Sequence, residues 1–122
     1  MVYDSDNIFA KILRGEIPND TVYEDDEVLA FRDINPQAPV HVLVIPKGAY
    51  VSIDDFGSDA SPQAVGHFFA AVRAIARELG LAEPGYRVIA NIGGDGGQEV
   101  PHFHVHILGG RPLGRMIAKQ PN

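Results

Sequence analysis

His102-Phe103-His104-Val105-His106 is the segment that most restricts what this chain can fold into. In an extended strand, side chains at i, i+2 and i+4 emerge on one face. The three imidazoles would then form a row spanning roughly 13 Å, at about 3.3 Å per residue. Phe103, Val105 and Ile107 would point the other way, as an apolar row should on a core-facing side. The strand is expected to run from Pro101 to Leu108. Only five histidines occur in the chain, and three of them stand here. Three neighbouring imidazoles are an expensive way to fill a core, so the pattern points to a site.

The 122 residues suit one domain, read as positions 1–122 with a core over 5–110 and an irregular tail over 111–122. Apolar content of 45% and charged content of 21% fit a soluble globular protein. With no cysteine, disulfides and thiolate–zinc sites are excluded. The longest aliphatic run, Val42-Leu43-Val44-Ile45, is far short of a membrane helix. No leader pattern is visible in the first twenty residues, and the cytoplasm is the expected location. A net charge of −6 argues against general nucleic-acid backbone binding. It leaves open a pocket for one nucleotide.

Asp6 or Asn7 can cap a first helix over Ile8 to Arg14, stopped by Gly15. Thr21 to Glu24 and Glu27 to Phe31 read as strands around a turn at Asp25-Asp26. A proline loop leads to a third strand, Val40 to Ile45. A polar stretch around Asp54 to Gly57 precedes Ser61-Pro62, which opens a second helix running to Leu79. Its apolar residues Val65, Phe68, Phe69, Val72, Ile75, Ala76 and Leu79 share one face; His67 falls off that stripe and is expected at the surface. Tyr86 to Asn91 is the fourth strand and the histidine segment the fifth. Five strands and two helices with hairpin-like connections indicate an α+β fold with an antiparallel sheet.

Two chemistries suit the histidines. His-x-His has metal-ligand spacing, although no carboxylate follows the row. Alternatively, a neutral imidazole attacks phosphorus well when its other nitrogen is held by an acceptor. The flanking rings, about 6–7 Å away along a strand, could steady phosphate oxygens or shuttle a proton. Their titrations must be coupled, with one ring neutral as nucleophile while another stays cationic. The run Gly93-Gly94-Asp95-Gly96-Gly97 can present backbone N–H groups to an anion. Asn91 and Gln98 flank it with amide donors, and His41 opens the third strand. Together these favour phosphate.

With those residues in place, the chain resembles the histidine triad (HIT) superfamily, and within it the Hint branch of purine nucleoside phosphoramidases. His102, His104, His106, Ile107 and Leu108 match the family motif. Asn7 to Ile12, Ala30 to Ile34, Pro36 to His41, Val44 to Lys47, Asp95 to Gln98 and Leu108 to Arg111 fall in family order. The likeness covers about residues 5 to 112.

The resemblance implies a five-stranded antiparallel sheet that joins a partner's to make a ten-stranded sheet in a homodimer. It implies a metal-independent hydrolase that needs no cofactor, acting on adenosine monophosphate-type purine nucleotides linked through nitrogen to a small group or a lysine. His104 would attack the α-phosphorus to give a nucleotidyl-histidine, which water hydrolyses to nucleoside monophosphate. His106 would contact the phosphate and the leaving atom, with His102 and His41 orienting the row and moving protons. Asn91, Gln98 and the backbone near Glu99 and Val100 would hold phosphate oxygens. Asp33 would accept from the ribose hydroxyls. Ile8, Phe9, Ile12, Phe31 and Ile34 would form an apolar purine slot.

The chain departs from the family pattern in three places. Glu99 stands where many Hint proteins have serine, and either turns away, is protonated or joins proton transfer; the first is favoured. Pro101 replaces a frequent tyrosine and removes a backbone donor. The tail has no tryptophan. Rival readings from the same residues are a dinucleoside polyphosphate hydrolase, a nucleotidyl transferase, a nucleotide-binding adaptor and a zinc protein.

Overall fold

The computed structural model describes residues 2–119. Its elements are α1 (Ile8–Leu13), β1 (Thr21–Glu24), β2 (Val28–Arg32), β3 (Val40–Pro46), α2 (Ile53–Asp59), α3 (Pro62–Glu78), β4 (Arg87–Ile89) and β5 (Val105–Gly109). The five strands form one antiparallel sheet in the order β1-β2-β3-β5-β4. The α+β antiparallel fold expected from the sequence is therefore present, with three helices rather than two.

The additional helix, α2, occupies the stretch read above as a polar loop. Ser52 caps it: its hydroxyl accepts from Asp54 N at 3.1 Å, and the Asp55 carboxylate accepts from Ser52 N and Val51 N at 2.8 and 2.9 Å. This is a capping box with aspartate in the place usually taken by glutamate. Its buried side chain is Phe56, 2% exposed, which stacks on Phe103 at 4.9 Å and meets Tyr50 and Phe68 edge-on. A single buried ring on a seven-residue helix gives no periodic signal, which is why pattern alone missed it.

Alternation along the central strand separates two apolar clusters. Val42 and Val44 of β3 join Val28, Ala30, Val105, Ile107 and the buried face of α3. Leu43 and Ile45 join Leu29, Phe31 and, from α1, Phe9. The central strand is thus buried on both faces, and its intervening position His41 lies on the α1 side. Register places Leu43 opposite His106 and His41 opposite Leu108. The site is built on that face.

Asn7, not Asp6, caps α1, accepting from Ala10 N at 2.9 Å. Gly15, at φ 79°, ends it. Ser61 caps α3. His67 lies on the outer side of α3, as expected, and pairs with Asp25 at 2.7 Å, joining the helix to the β1–β2 turn. That contact raises the imidazole's pKa, while burial opposes it. Residues 111–119 contain no helix or strand; positions 120–122 of the tail expected over 111–122 lie outside the described residues. Among the described residues, no helix is long and apolar enough to cross a membrane.

The histidine segment is less regular than a six- or eight-residue strand. β5 begins at Val105, so His106 is the histidine within it, and His102 and His104 precede it in non-strand backbone. The fourth strand is likewise shorter, Arg87–Ile89. Both trims have one cause. The chain between β4 and β5 must carry the glycine run around the end of the sheet, and ladder pairing starts only where β5 meets Val44 and Ile89.

Candidate active site

Each histidine has a distinct set of partners, and the partners fix its proton. The His104 Nδ1 lies 2.7 Å from the His102 carbonyl oxygen. A carbonyl only accepts, so Nδ1 carries the hydrogen and Nε2 the lone pair. The same peptide group donates through Phe103 N to the Tyr50 carbonyl at 2.7 Å. A continuous chain therefore runs from Tyr50 through the His102–Phe103 peptide to the His104 ring, polarised in one direction.

His106 is set from the opposite side. The backbone N–H of Gln37 donates to His41 Nδ1 at 3.1 Å. A neutral His41 then bears its hydrogen on Nε2, which lies 2.9 Å from His106 Nδ1. His106 in turn holds its hydrogen on Nε2. The pair thus presents a bare nitrogen on His104 beside an N–H on His106, with ring centroids 5.1 Å apart. Asp33 lies 3.4 Å from His41 Nε2 and accepts from Asn35 N at 2.8 Å.

His102 is fully buried, its Nε2–H donating to the Pro46 carbonyl at 2.8 Å and its Nδ1 facing the Tyr3 hydroxyl at 2.6 Å. Phe9 packs against both His102 and His104, but of the three motif rings it is His104 and His106 that line the cavity described below. Ligand atoms of Asp33, His41 and His106 do lie within 4.8 Å of one another, but the two imidazoles use the facing nitrogens to bind each other.

Burial lowers the pKa of all four histidines. It is the largest cause for His41, His102 and His104. It brings His106 down to about 4, with help from the neighbouring rings of His104 and His41. Each of these shifts favours the neutral ring. A consequence for stability follows from linkage. The unfolded rings titrate near 6.5, so the unfolded state takes up protons first as pH falls. Stability should be at its plateau above about pH 6.5 and decline as pH drops toward about 4. Partial exposure of His106 screens the effect, so about 1–2 kcal/mol is expected from that ring. Urea midpoints at pH 7 and pH 4.5 measure it, and a His106→Asn variant should lose part of the slope.

His104 and His106 line a cavity of about 410 Å³, within the range of small-ligand pockets. One wall is apolar, made by Ile8, Phe9, Ile12, Phe31 and Ile34 together with Ile17, Pro18 and Leu43. Phe9 sets its edge against His104 at 5.0 Å. Ile34 is 98% exposed, an unusual position for such a side chain in the absence of something to cover. Asp33, Asn91, Glu99 and Val100 also line the cavity. Glu99 is solvent-exposed, and its charge acts on His104, favouring the protonated ring against the larger effect of burial.

Gln98 is engaged elsewhere. Its amide N–H groups donate to the carbonyls of Val51 and Val100 at 2.6 and 3.1 Å, and its oxygen accepts from Gly93 N at 3.1 Å. It ties the glycine run to the start of α2 and leaves no amide hydrogen for a ligand. Gly96 is required in that run, because a Cβ there would lie 2.3 Å from the Ile92 carbonyl oxygen. Among the residues that sequence reading did not find are Leu43, Tyr3 and Gln37. The period-2 pattern of the third strand could have revealed Leu43; nothing local marks the other two.

A family model for the HIT domain matches residues 14–113. The chain belongs to the HIT family. Among its relatives, a HIT-like protein of Azospirillum brasilense is 57% identical, with 96% of each chain aligned. The purine nucleoside phosphoramidase of Escherichia coli K12 is 51% identical over 93% of this chain and 94% of that one. The structure of a histidine triad protein from Clostridium difficile superposes with a TM-score of 0.85 at 49% identity, covering 95% of this chain and all of that one. A HIT family hydrolase from Clostridium thermocellum gives 0.86 at 41% identity, covering 94% and 99%.

Proposed function

We propose that this protein hydrolyses purine nucleoside phosphoramidates in two steps through a nucleotidyl-His104 intermediate. The observation that carries the reading is the His104 ring: its Nδ1–H is fixed on the His102 carbonyl, and its other nitrogen is bare in a cavity with an apolar slot. Kinship with the Escherichia coli phosphoramidase supports the same reaction class.

In the first step, His104 Nε2 forms a bond to the α-phosphorus as the P–N bond breaks. The amine leaves with a proton from His106 Nε2, the hydrogen-bonded His41–His106 pair having taken up one proton from solvent as the anionic substrate binds. His106 recovers the proton from the attacking water in the second step. The water oxygen bonds to phosphorus, the phosphorus–His104 bond breaks, and nucleoside monophosphate is released. Asn91 and the backbone at Glu99 and Val100 supply donors to the phosphate oxygens. Asp33 accepts from the ribose hydroxyls, and the five apolar side chains of the slot flank the purine. His102 orients the peptide that holds His104. In this reading the chemistry needs no metal, and the protein acts as a cytoplasmic homodimer. The dimer pairs the open edge at β4, where Val88 is exposed, and extends the sheet to ten strands.

The test is to incubate the protein with an adenosine phosphoramidate in the presence of EDTA, quench in base and analyse by mass spectrometry. Adenosine monophosphate on His104 is the expected result. Turnover abolished by EDTA and restored by zinc would overturn the metal-free mechanism. Faster turnover of a diadenosine polyphosphate measured alongside would overturn the substrate class.

A further inference from the structure

The N-terminal segment ahead of α1 reaches back to the far end of the chain at one point. The Tyr3 hydroxyl lies 2.6 Å from His102 Nδ1, ninety-nine residues away in sequence, and the rings meet edge-on at 5.6 Å. His102 is 0% exposed, and its other nitrogen donates to the Pro46 carbonyl. A neutral ring that donates from Nε2 has a lone pair on Nδ1, so the tyrosine must be the donor. Water cannot substitute while the ring stays sealed.

We propose that Tyr3 is a positioning residue for the reaction: its hydroxyl holds His102 in the Nε2–H form on Pro46, and the anchored residue keeps its carbonyl on His104 Nδ1. This rests on the reading of His104 as the nucleophile. The links are consecutive. Tyr3 and Pro46 clamp the His102 ring from its two nitrogens. The peptide that follows is held at its N–H by Tyr50 and offers its carbonyl to His104. Loss of the Tyr3 hydroxyl would leave a buried acceptor unpaired. The ring can relieve that only by moving its proton to Nδ1 or by turning away from Pro46. Either change gives up the Pro46 bond and loosens the peptide that fixes the His104 tautomer. The lone pair that His104 Nε2 directs at phosphorus depends on that tautomer, so the effect belongs in kcat rather than in substrate binding.

The experiment is Tyr3→Phe, which keeps the ring packing and removes one oxygen. Nitrogen-15 NMR of the histidine rings reads the tautomer independently of activity. The expected result is a His102 signal moved away from the Nε2–H form, with kcat lowered about 3- to 10-fold and KM within about twofold. Ser61→Ala, which removes the α3 cap far from the site, is the control for simple destabilisation; it should lower the melting temperature with kcat unchanged. An unchanged His102 signal in Tyr3→Phe would overturn the proposal. So would a kcat equal to that of the unaltered protein, whatever the melting temperature does. Failure of the unaltered protein to turn over phosphoramidate or form the His104 adduct would count against the nucleophile assignment instead.

Discussion

His104→Ala should reduce phosphoramidate turnover by about three to five orders of magnitude, equivalent to roughly 4–7 kcal/mol in the activation barrier. The fold should survive. The side chain is bonded only to the neighbouring His102 carbonyl and packs against Phe9 and His106, so its loss removes one hydrogen bond and a modest volume. Circular dichroism and a urea titration would establish that, and single-turnover kinetics would read the rate. His106→Ala should fall less far, since a medium proton can replace its donor on the leaving amine while no other group can replace the bond to phosphorus. Near-normal turnover by His104→Ala would end the covalent mechanism.

Phe103→Ala should be the most damaging core substitution near the site, costing about 3–5 kcal/mol of stability. The ring is 1% exposed, stacks on Phe56 at 4.9 Å and lies 5.2 Å from Phe68. It is the bolt between α2, α3 and the histidine segment. Its own backbone N–H belongs to the peptide that orients His104, so a cavity at position 103 should lower kcat as well as the urea midpoint. Phe103→Leu, which fills more of the volume, should recover part of both. A variant with the lost stability but unaltered kcat would show that the peptide holds its orientation without the ring beneath it.

Phe103 and Phe56 also mark where the sequence was readable and where it was not. The alternation His-Phe-His-Val-His announced that one side of this segment is core and the other is chemistry, and Phe103, Val105 and Ile107 do enter the α3-side core. The strand itself was overextended. Side-chain alternation needs only extended backbone, whereas a strand needs a ladder partner, and the partners reach no farther than Val105. Helix α3 was legible because seventeen residues repeat an apolar stripe. Helix α2 was not, because its burial rests on Phe56 and the residues around it, Asp54 to Gly57, show only a polar stretch.

The same division holds within the site. Spacing within the chain was enough to single out the row His102, His104 and His106, because it is a short local pattern; Asp33 and the apolar slot entered only through the resemblance to the HIT family. Which nitrogen carries the proton was decided for His106 and His102 by groups far away in sequence, Gln37 and His41 for the first and Pro46 and Tyr3 for the second, and for His104 by the nearby His102 carbonyl as the fold holds it. Gln98, a promising amide donor on paper, is drawn instead to Val51 across the fold. Composition and period determine which faces are buried, since both act over a few residues. Tautomers, burial-lowered pKa values and the direction of an amide depend on partners that only chain packing brings within 3 Å, and those the tertiary structure alone could supply.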